Sequence, residues 1–355
     1  MLPGLTLRLS RIVTCIVVLS AISNMAAVAR ASSDPSAPKQ LFVFQDNRIR
    51  ESSGIAVDPR SGVIFTIQDA GNTPDVFAIG PDGRTTLSIR VPYPNEDWED
   101  IALSSSSSGA SVLYVGDTGD AYLDRRAARL PPRTEYAVIR MTEPSRRILD
   151  APTPTVEATH PERWRFVYED RKSHNAETLL VQPRTGRVFV ADKAETSAGS
   201  AYLWSLPVKP REDSINTVTR VAHLPLLKAS GGDFSSRGDR LVLRNATYAF
   251  IWRVPKSGDI KVAMASQPTR VALPKEPQGE GVTWTADGTS LLLSSEGRST
   301  PVIRVPLPRA LRALPALTSG QARSDGKNRA TLMIGLALCL IGLVWGVAFA
   351  RRRST

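Results

Sequence analysis

The sequence predicts an all-β domain, built from repeated sheets and closed on itself, between residues 40 and 308. Three observations carry this. Short β-rich runs alternate with Gly, Pro, Asp and Ser clusters, and no convincing helical periodicity interrupts them. One short pattern recurs five times, each copy opening a short apolar strand at Ser53, Glu99, Glu177, Ser230 or Glu280. A second polar position follows each of these by fifteen to eighteen residues, at Asp69, Asp117, Asp192, Asn245 and Glu296. Finally, an apolar run precedes the first copy, whereas none is needed after the last.

The units align in order. Openings read Ser53 to Val57, Glu99 to Leu103, Glu177 to Val181, Ser230 to Phe234 (the weakest match) and Glu280 to Trp284. Turns follow at Asp58 to Gly62, the serine run 104–108, Pro183 to Gly186, Ser236 to Asp239 and Ala286 to Gly288. Buried second strands come next, at Val63 to Phe65, Val112 to Tyr114, Val188 to Val190, Leu241 to Leu243 and Leu291 to Leu293. Third strands are Val76 to Ile79, Tyr136 to Ile139, Tyr202 to Trp204, Phe250 to Trp252 and Pro301 to Ile303. Outer strands include Thr86 to Val91 and Arg270 to Leu273. Leu41 to Phe44 is then the outer strand of the last sheet. Such a closure makes a five-bladed β-propeller. The segments Tyr122 to Glu135 and Arg146 to Glu162 read as insertions, the second because of its prolines.

Both ends read as addresses. Residues 1–31 have the layout of a signal peptide: Arg8 and Arg11, an apolar stretch from Ile12 to Ile22, then cleavage after Ala29 or Ala31. An uncleaved anchor is the alternative. Residues 309–329 read as a flexible stalk and 330–350 as one transmembrane helix, long enough to cross about 30 Å of hydrocarbon. The basic tail 351–355 puts the C-terminus in the cytoplasm and the domain outside.

The net charge of +11 reflects these ends. Arg8, Arg11 and Arg30 carry three charges. The C-terminal basic residues carry a net five after Asp325, which leaves +3 for the ectodomain. That is no nucleic-acid footprint. Cys15 and Cys339 both lie in the apolar termini, so the exported domain has neither disulfide nor thiol chemistry. About 270 residues suffice to bury a stabilising core without them, and the ectodomain reads as a monomer.

In such a ring the first strands line a central channel. The set Ser53, Glu99, Glu177, Ser230 and Glu280 then converges at one mouth, with Asp69, Asp117, Asp120, Asp192, Asn245 and Glu296 as a second ring on the same face. Oxygen donors without His or Cys suit Ca²⁺ rather than zinc or copper. Without a cation, three converging carboxylates raise one another's pKa values. The bland alternative is a hydrated channel mouth.

The order Ser, Glu, Glu, Ser, Glu resembles the calcium site of calcium-activated nucleotidases (apyrases), which are five-bladed propellers. Asp97 to Ala102, Gly116 to Asp120, His174 to Leu179 and Gly279 to Val282 resemble an uncharacterised family of exported bacterial propellers. Ala121 departs from the Asn usual there. These resemblances imply a Ca²⁺ site and fix no reaction.

His174 is a candidate general base beside Glu177. Asp117 is a candidate second-cation ligand with Asp120. Arg244, with Lys193 and Arg298, is a candidate phosphate clamp. Trp204 and Trp252 read as packing. No serine-nucleophile motif, phosphate-binding loop or dinucleotide fingerprint is present. Two functions are compatible with this pattern. One is a membrane-anchored module that recognises an unidentified ligand at the open face. The alternative is a Ca²⁺-dependent phosphoester or nucleotide hydrolase, apyrase- or phytase-like. The absence of an acid/base pair beyond the ring favours binding.

Overall fold

The computed structural model describes residues 36–105, 111–120, 125, 127, 129–145, 155–194 and 201–312. By its contacts the chain divides into residues 1–37 and a second unit from Pro38 onward, and the fold is that of the second unit. The expected signal peptide, transmembrane helix and basic tail lie outside the described residues. Among the described residues, no helix is long and apolar enough to cross a membrane.

The fold is nearly all β, built from four-strand antiparallel meanders. The first holds β2 (Ser52–Val57), β3 (Ile64–Gln68), β4 (Asp75–Ile79) and β5 (Thr85–Arg90). The second holds β6 (Trp98–Ser105), β7 (Ser111–Asp117), β8 (Tyr136–Thr142) and β10 (Thr159–Tyr168). The third holds β11 (Ala176–Val181), β12 (Val188–Asp192), β13 (Tyr202–Ser205) and β14 (Asn216–His223). The fourth holds β15 (Gly231–Phe234), β16 (Arg240–Arg244), β17 (Tyr248–Arg253) and β18 (Thr269–Ala272). The last holds β19 (Gly279–Trp284), β20 (Ser290–Ser295) and β21 (Pro301–Pro306), and β1 (Lys39–Val43) completes it by pairing with β21.

The inner strands close a cycle: β2 neighbours β6, β6 neighbours β11, β11 neighbours β15, β15 neighbours β19, and β19 returns to β2. This is the β-propeller arrangement, and apolar clusters fill the spaces between successive sheets. One joins Leu180, Phe189 and Leu203 to Phe234, Leu243 and Trp252. Another seals the closure, with Phe42 and Phe44 against Ile55, Phe77 and Val302. Burial of such side chains at roughly 25 cal/mol per Å² is the main stabilising term.

Two expectations need correction. The segment Arg146 to Glu162 is not wholly an insertion. Its end starts β10, and Val156–Glu157 forms β9, which extends the first sheet by pairing parallel with β5. Pro161 is tolerated because it falls where the β10–β8 register shifts between Thr159 and Glu162, so no ladder bond needs its missing N–H. Helix is also present. Residues Ile260–Met264 form α1, capped by Asp259, whose carboxylate accepts from the backbone N–H of Lys261 and Val262. Residues Arg309–Arg312, at the start of the expected stalk, form α2, and Leu311 is buried against the last meander. The rest of the stalk lies outside the described residues.

Candidate functional site: a carboxylate-rich channel mouth

All five sequence-derived ring residues are buried and stand at the starts of the inner strands or just before them. Their side chains divide into two kinds. Ser53 and Ser230 bridge neighbouring strands: Ser53 Oγ donates to the Glu99 carbonyl at 2.6 Å, and Ser230 Oγ donates to the Gly279 carbonyl at 3.3 Å. The three glutamates gather instead around an ammonium group. Lys193 Nζ lies 2.5 Å from Glu177 Oε2 and 3.9 Å from Glu280 Oε1, and Glu99 acts on it from further away. Asn175 Nδ2 donates to the other Glu177 oxygen at 2.8 Å.

The second ring behaves less uniformly. Asp69 and Glu296 belong electrostatically to the mouth, with Glu51 between them in the Glu51–Glu296 bridge. Asp117 is fully buried and pairs with Arg133 Nη1 at 2.9 Å; its carboxylate also accepts the Asp97 N–H. Asp120 accepts from the backbone N–H of Arg133 and from Ser173 Oγ. Asp192 accepts from Trp204 Nε1 at 2.8 Å. Asn245 caps a turn, accepting from the N–H groups of Thr247 and Tyr248. These four therefore build the wall behind the mouth.

His174 sits in that wall. Its Nε2 faces Asp170 at 3.2 Å and its Nδ1 faces Asp192 at 3.3 Å, while its ring packs between Tyr168 and Trp204. Burial lowers its pKa, but the two carboxylates outweigh this and raise it. An imidazole held between two acids is a structural cation rather than a poised base. Arg244 is fully buried and engaged with Glu276 Oε2 at 2.7 Å and the Gly281 carbonyl at 3.1 Å. Arg298 is exposed.

A tighter cluster lies at one side of the mouth. Asp69, Asp97 and Glu99 each bring a carboxylate oxygen within 4.8 Å of the others. The local chain explains the convergence. Asn95 Nδ2 donates to the carbonyls of Gln68 and Asp69, and its Oδ1 accepts the Trp98 N–H, which ties the end of β3 to the start of β6. The Asp97 carbonyl accepts from Thr118 and Gly119. A Cβ at Gly119 would press on Glu99 Oε1 and come within 2.6 Å of Asp97 Oδ2, so both carboxylates would have to shift.

Asp97 was not among the sequence-derived site residues. The available signal was its i, i+2 spacing from Glu99, which places both side chains on one face of an extended strand. Lys193 was grouped with Arg244 and Arg298 as a phosphate clamp, whereas its ammonium pairs with Glu177 and lies 3.9 Å from Glu280.

Burial and mutual repulsion push the carboxyls of the mouth upward. Glu99 rises well above the usual range because it is buried and faces Glu177, Asp69 and Asp97. Burial lifts Glu177 to about 8, with Glu280 adding and the Lys193 ammonium restraining the rise. Burial lifts Glu296 to about 8, with help from Asp69, Glu280 and Glu51. Asp69 and Glu280 are raised for the same first reason. Burial alone would lower Lys193, but Glu177 and Glu280 reverse this, so it stays charged. One ammonium thus faces several acids, which cannot all ionise together without a further cation.

No family model and no curated protein matches the chain. Among solved structures it is similar to XC5397 from Xanthomonas campestris, described as a gluconolactonase. The match covers 76% of this chain and 89% of that one, at 13% identity and a TM-score of 0.38. It is also similar to a chain of a nidogen/laminin complex, over 70% of this chain and 73% of that one, at 13% identity and a TM-score of 0.38. Likeness at this level transfers no activity.

Proposed function

We propose that this chain is an exported five-bladed β-propeller, anchored by residues 330–350, that binds a ligand at its carboxylate mouth with the help of Ca²⁺. The observation that carries the metal reading is the convergence of Asp69, Asp97 and Glu99, with ligand oxygens within 4.8 Å of one another. The donor set fits the ion. All donors are oxygens, the site lies at a buried mouth, and Gly119 leaves room where any side chain would intrude. Glu280 Oε2 is buried without a hydrogen-bond partner in the same mouth, a further donor awaiting a positive charge.

Asp69, Asp97 and Glu99 would hold the ion, while Lys193 pairs with Glu177 and, more distantly, with Glu280 Oε1. A bound Ca²⁺ supplies positive charge and coordination positions for ligand oxygens. The chain's own residues fix the frame: Arg133 and Asp117 hold the Asp97 backbone, and Asn175 orients Glu177. Neither His174 nor Arg244 has a side-chain atom uncommitted for acid, base or clamp work, which favours recognition over hydrolysis.

The test is a thermal melt of the purified chain with Ca²⁺ and with chelator, followed by a phosphoester and nucleotide screen. Stabilisation by Ca²⁺ without turnover is expected. Absence of a Ca²⁺ shift, or Ca²⁺-dependent phosphate release lost in Glu99→Gln, would contradict the reading.

A further inference from the structure

The inner strands start at the carboxylate mouth and run away from it, and strands alternate in direction within each meander. The turns after the inner strands and those before the outer strands therefore share the far end. Contacts join these turns into one surface across the last three meanders. Gln182 Nε2 donates to the Gly258 carbonyl at 2.8 Å, which ties the β11–β12 turn to the segment before α1. Arg240 Nη1 donates to the Gly288 carbonyl at 2.9 Å and to the Leu311 carbonyl at 2.7 Å, which ties β16 to the β19–β20 turn and to α2. The chain leaves the propeller on this surface, through α2.

We propose that this far end docks on an anionic lipid surface, so that the carboxylate mouth opens away from the bilayer. Six exposed cations stand on it: Arg184 and Lys209 on the third meander, Lys256 and Lys261 on the fourth, and Arg309 and Arg312 in α2. Among the described residues, no carboxylate forms a salt bridge with any of them. Other acids of this end already pair with their own neighbours, Asp82 with Arg84, Asp213 with Arg211 and Asp239 with Arg237. Asp259, which caps α1, Asp287, which accepts the Thr289 N–H, and Glu212 are the exposed acids left against the six cations. Val208 lies beside Lys209. It is 71% exposed, and Ile215 follows at 49% from the same β13–β14 connection. An apolar tip next to a lysine on a basic face suits the boundary between lipid headgroups and acyl chains.

The docking rests on the anchor proposed at residues 330–350. Residues 313–329 separate α2 from that anchor, and a segment of this length reaches up to about 60 Å when extended. The tether alone therefore leaves the orientation of the domain open. It does keep lipid at a high local concentration, so a modest attraction at each cation is enough to hold one face down. The opposite end gathers Asp69, Asp97 and Glu99, which an anionic surface repels. Charge thus selects between the two ends.

The test uses the full chain carrying Cys15→Ser and Cys339→Ser, added to vesicles of phosphatidylcholine alone or with about 30% phosphatidylglycerol. An environment-sensitive fluorophore is attached through Val208→Cys, or through Ala246→Cys in the exposed turn before β17 at the mouth end. A lipid-borne nitroxide is the quencher. In phosphatidylglycerol vesicles the label at 208 should be quenched roughly 3-fold or more strongly than the label at 246. The contrast should vanish in phosphatidylcholine and in about 0.5 M salt. Lys209→Glu, Lys256→Glu and Lys261→Glu together should abolish it without lowering Tm. Equal quenching at the two positions, or stronger quenching at 246, would overturn the docking. A contrast that survives in phosphatidylcholine or in the triple variant would overturn it equally. Retention after an alkaline wash scores the anchor separately: a chain that washes off refutes the anchor, while the quenching contrast before the wash still decides the docking.

Discussion

Lys193→Met removes the ammonium that pairs with Glu177 in the carboxylate mouth and keeps most of the apolar stem. In the native structure that ammonium lies 2.5 Å from Glu177 and 3.9 Å from Glu280. Breaking a buried ion pair from one side costs about 3–5 kcal/mol, because the partner charge stays buried. For a domain of this size each kcal/mol moves Tm by roughly 2–4 °C, so the loss at pH 8 in chelator should be on the order of 10 °C. At pH 5 the loss should shrink, since carboxyls with raised pKa values are then protonated and need no cation. Excess Ca²⁺ should restore much of the pH 8 loss by supplying the missing charge. The assay is a set of melts at both pH values, with Ca²⁺ and with chelator. A loss of the same size at pH 5 and pH 8 would mean that Lys193 acts through its stem alone. Failure of Ca²⁺ to recover any stability would separate Lys193 from the cation site.

The native chain should itself respond to pH. Glu177 and Glu296 are raised from 4.5 to about 8 in the folded state, so their contribution is fully present below about pH 4.5 and is lost as pH rises through about 8. In chelator Tm should therefore fall between pH 5 and pH 8, with up to ~5 kcal/mol from Glu177 as a ceiling; a flat or rising profile would contradict the burial of these acids. Gly119→Ala should abolish any Ca²⁺-dependent shift, because its Cβ would collide with Glu99 and Asp97; an unchanged shift would move the ion elsewhere. Arg133→Met should cost about 3–5 kcal/mol by stranding buried Asp117, measured by denaturant unfolding. Phe44→Ala should cost about 3–5 kcal/mol by opening a cavity at the closure between β1 and its neighbours, and a loss below 1 kcal/mol would deny that closure its role.

Much of the architecture was legible because strand periodicity is local. The runs at Val188 to Val190 and Leu291 to Leu293 lie within β12 and β20, and the surplus apolar run near Leu41 became β1. What was not legible depends on distant partners. The proline-bearing segment before Tyr168 becomes β10 only because β8 lies alongside it and β14 pairs parallel with its end. No local signal announces a parallel pairing between outer strands of neighbouring meanders. At the mouth, the recurring polar positions pointed to the starts of the inner strands, where Glu177 and Glu280 meet Lys193 and Glu99 meets Asp69 and Asp97. Side-chain direction was not readable. Ser53 and Ser230 turn to the carbonyls of neighbouring strands, and Asp117 turns to Arg133, because a buried hydroxyl or carboxylate takes the nearest partner that satisfies it. Asp97 enters the cluster through Asn95 and Gly119, neither of which carries a metal-ligand signature of its own.

The proposed function rests on a divalent cation held by Asp69, Asp97 and Glu99. Calorimetric titration of Ca²⁺ into the chelator-stripped chain and into Asp97→Asn tests it most directly. One Ca²⁺ bound by the native chain and none by the variant is the expected result; no saturable heat from the native chain, or the same isotherm from both, would contradict it.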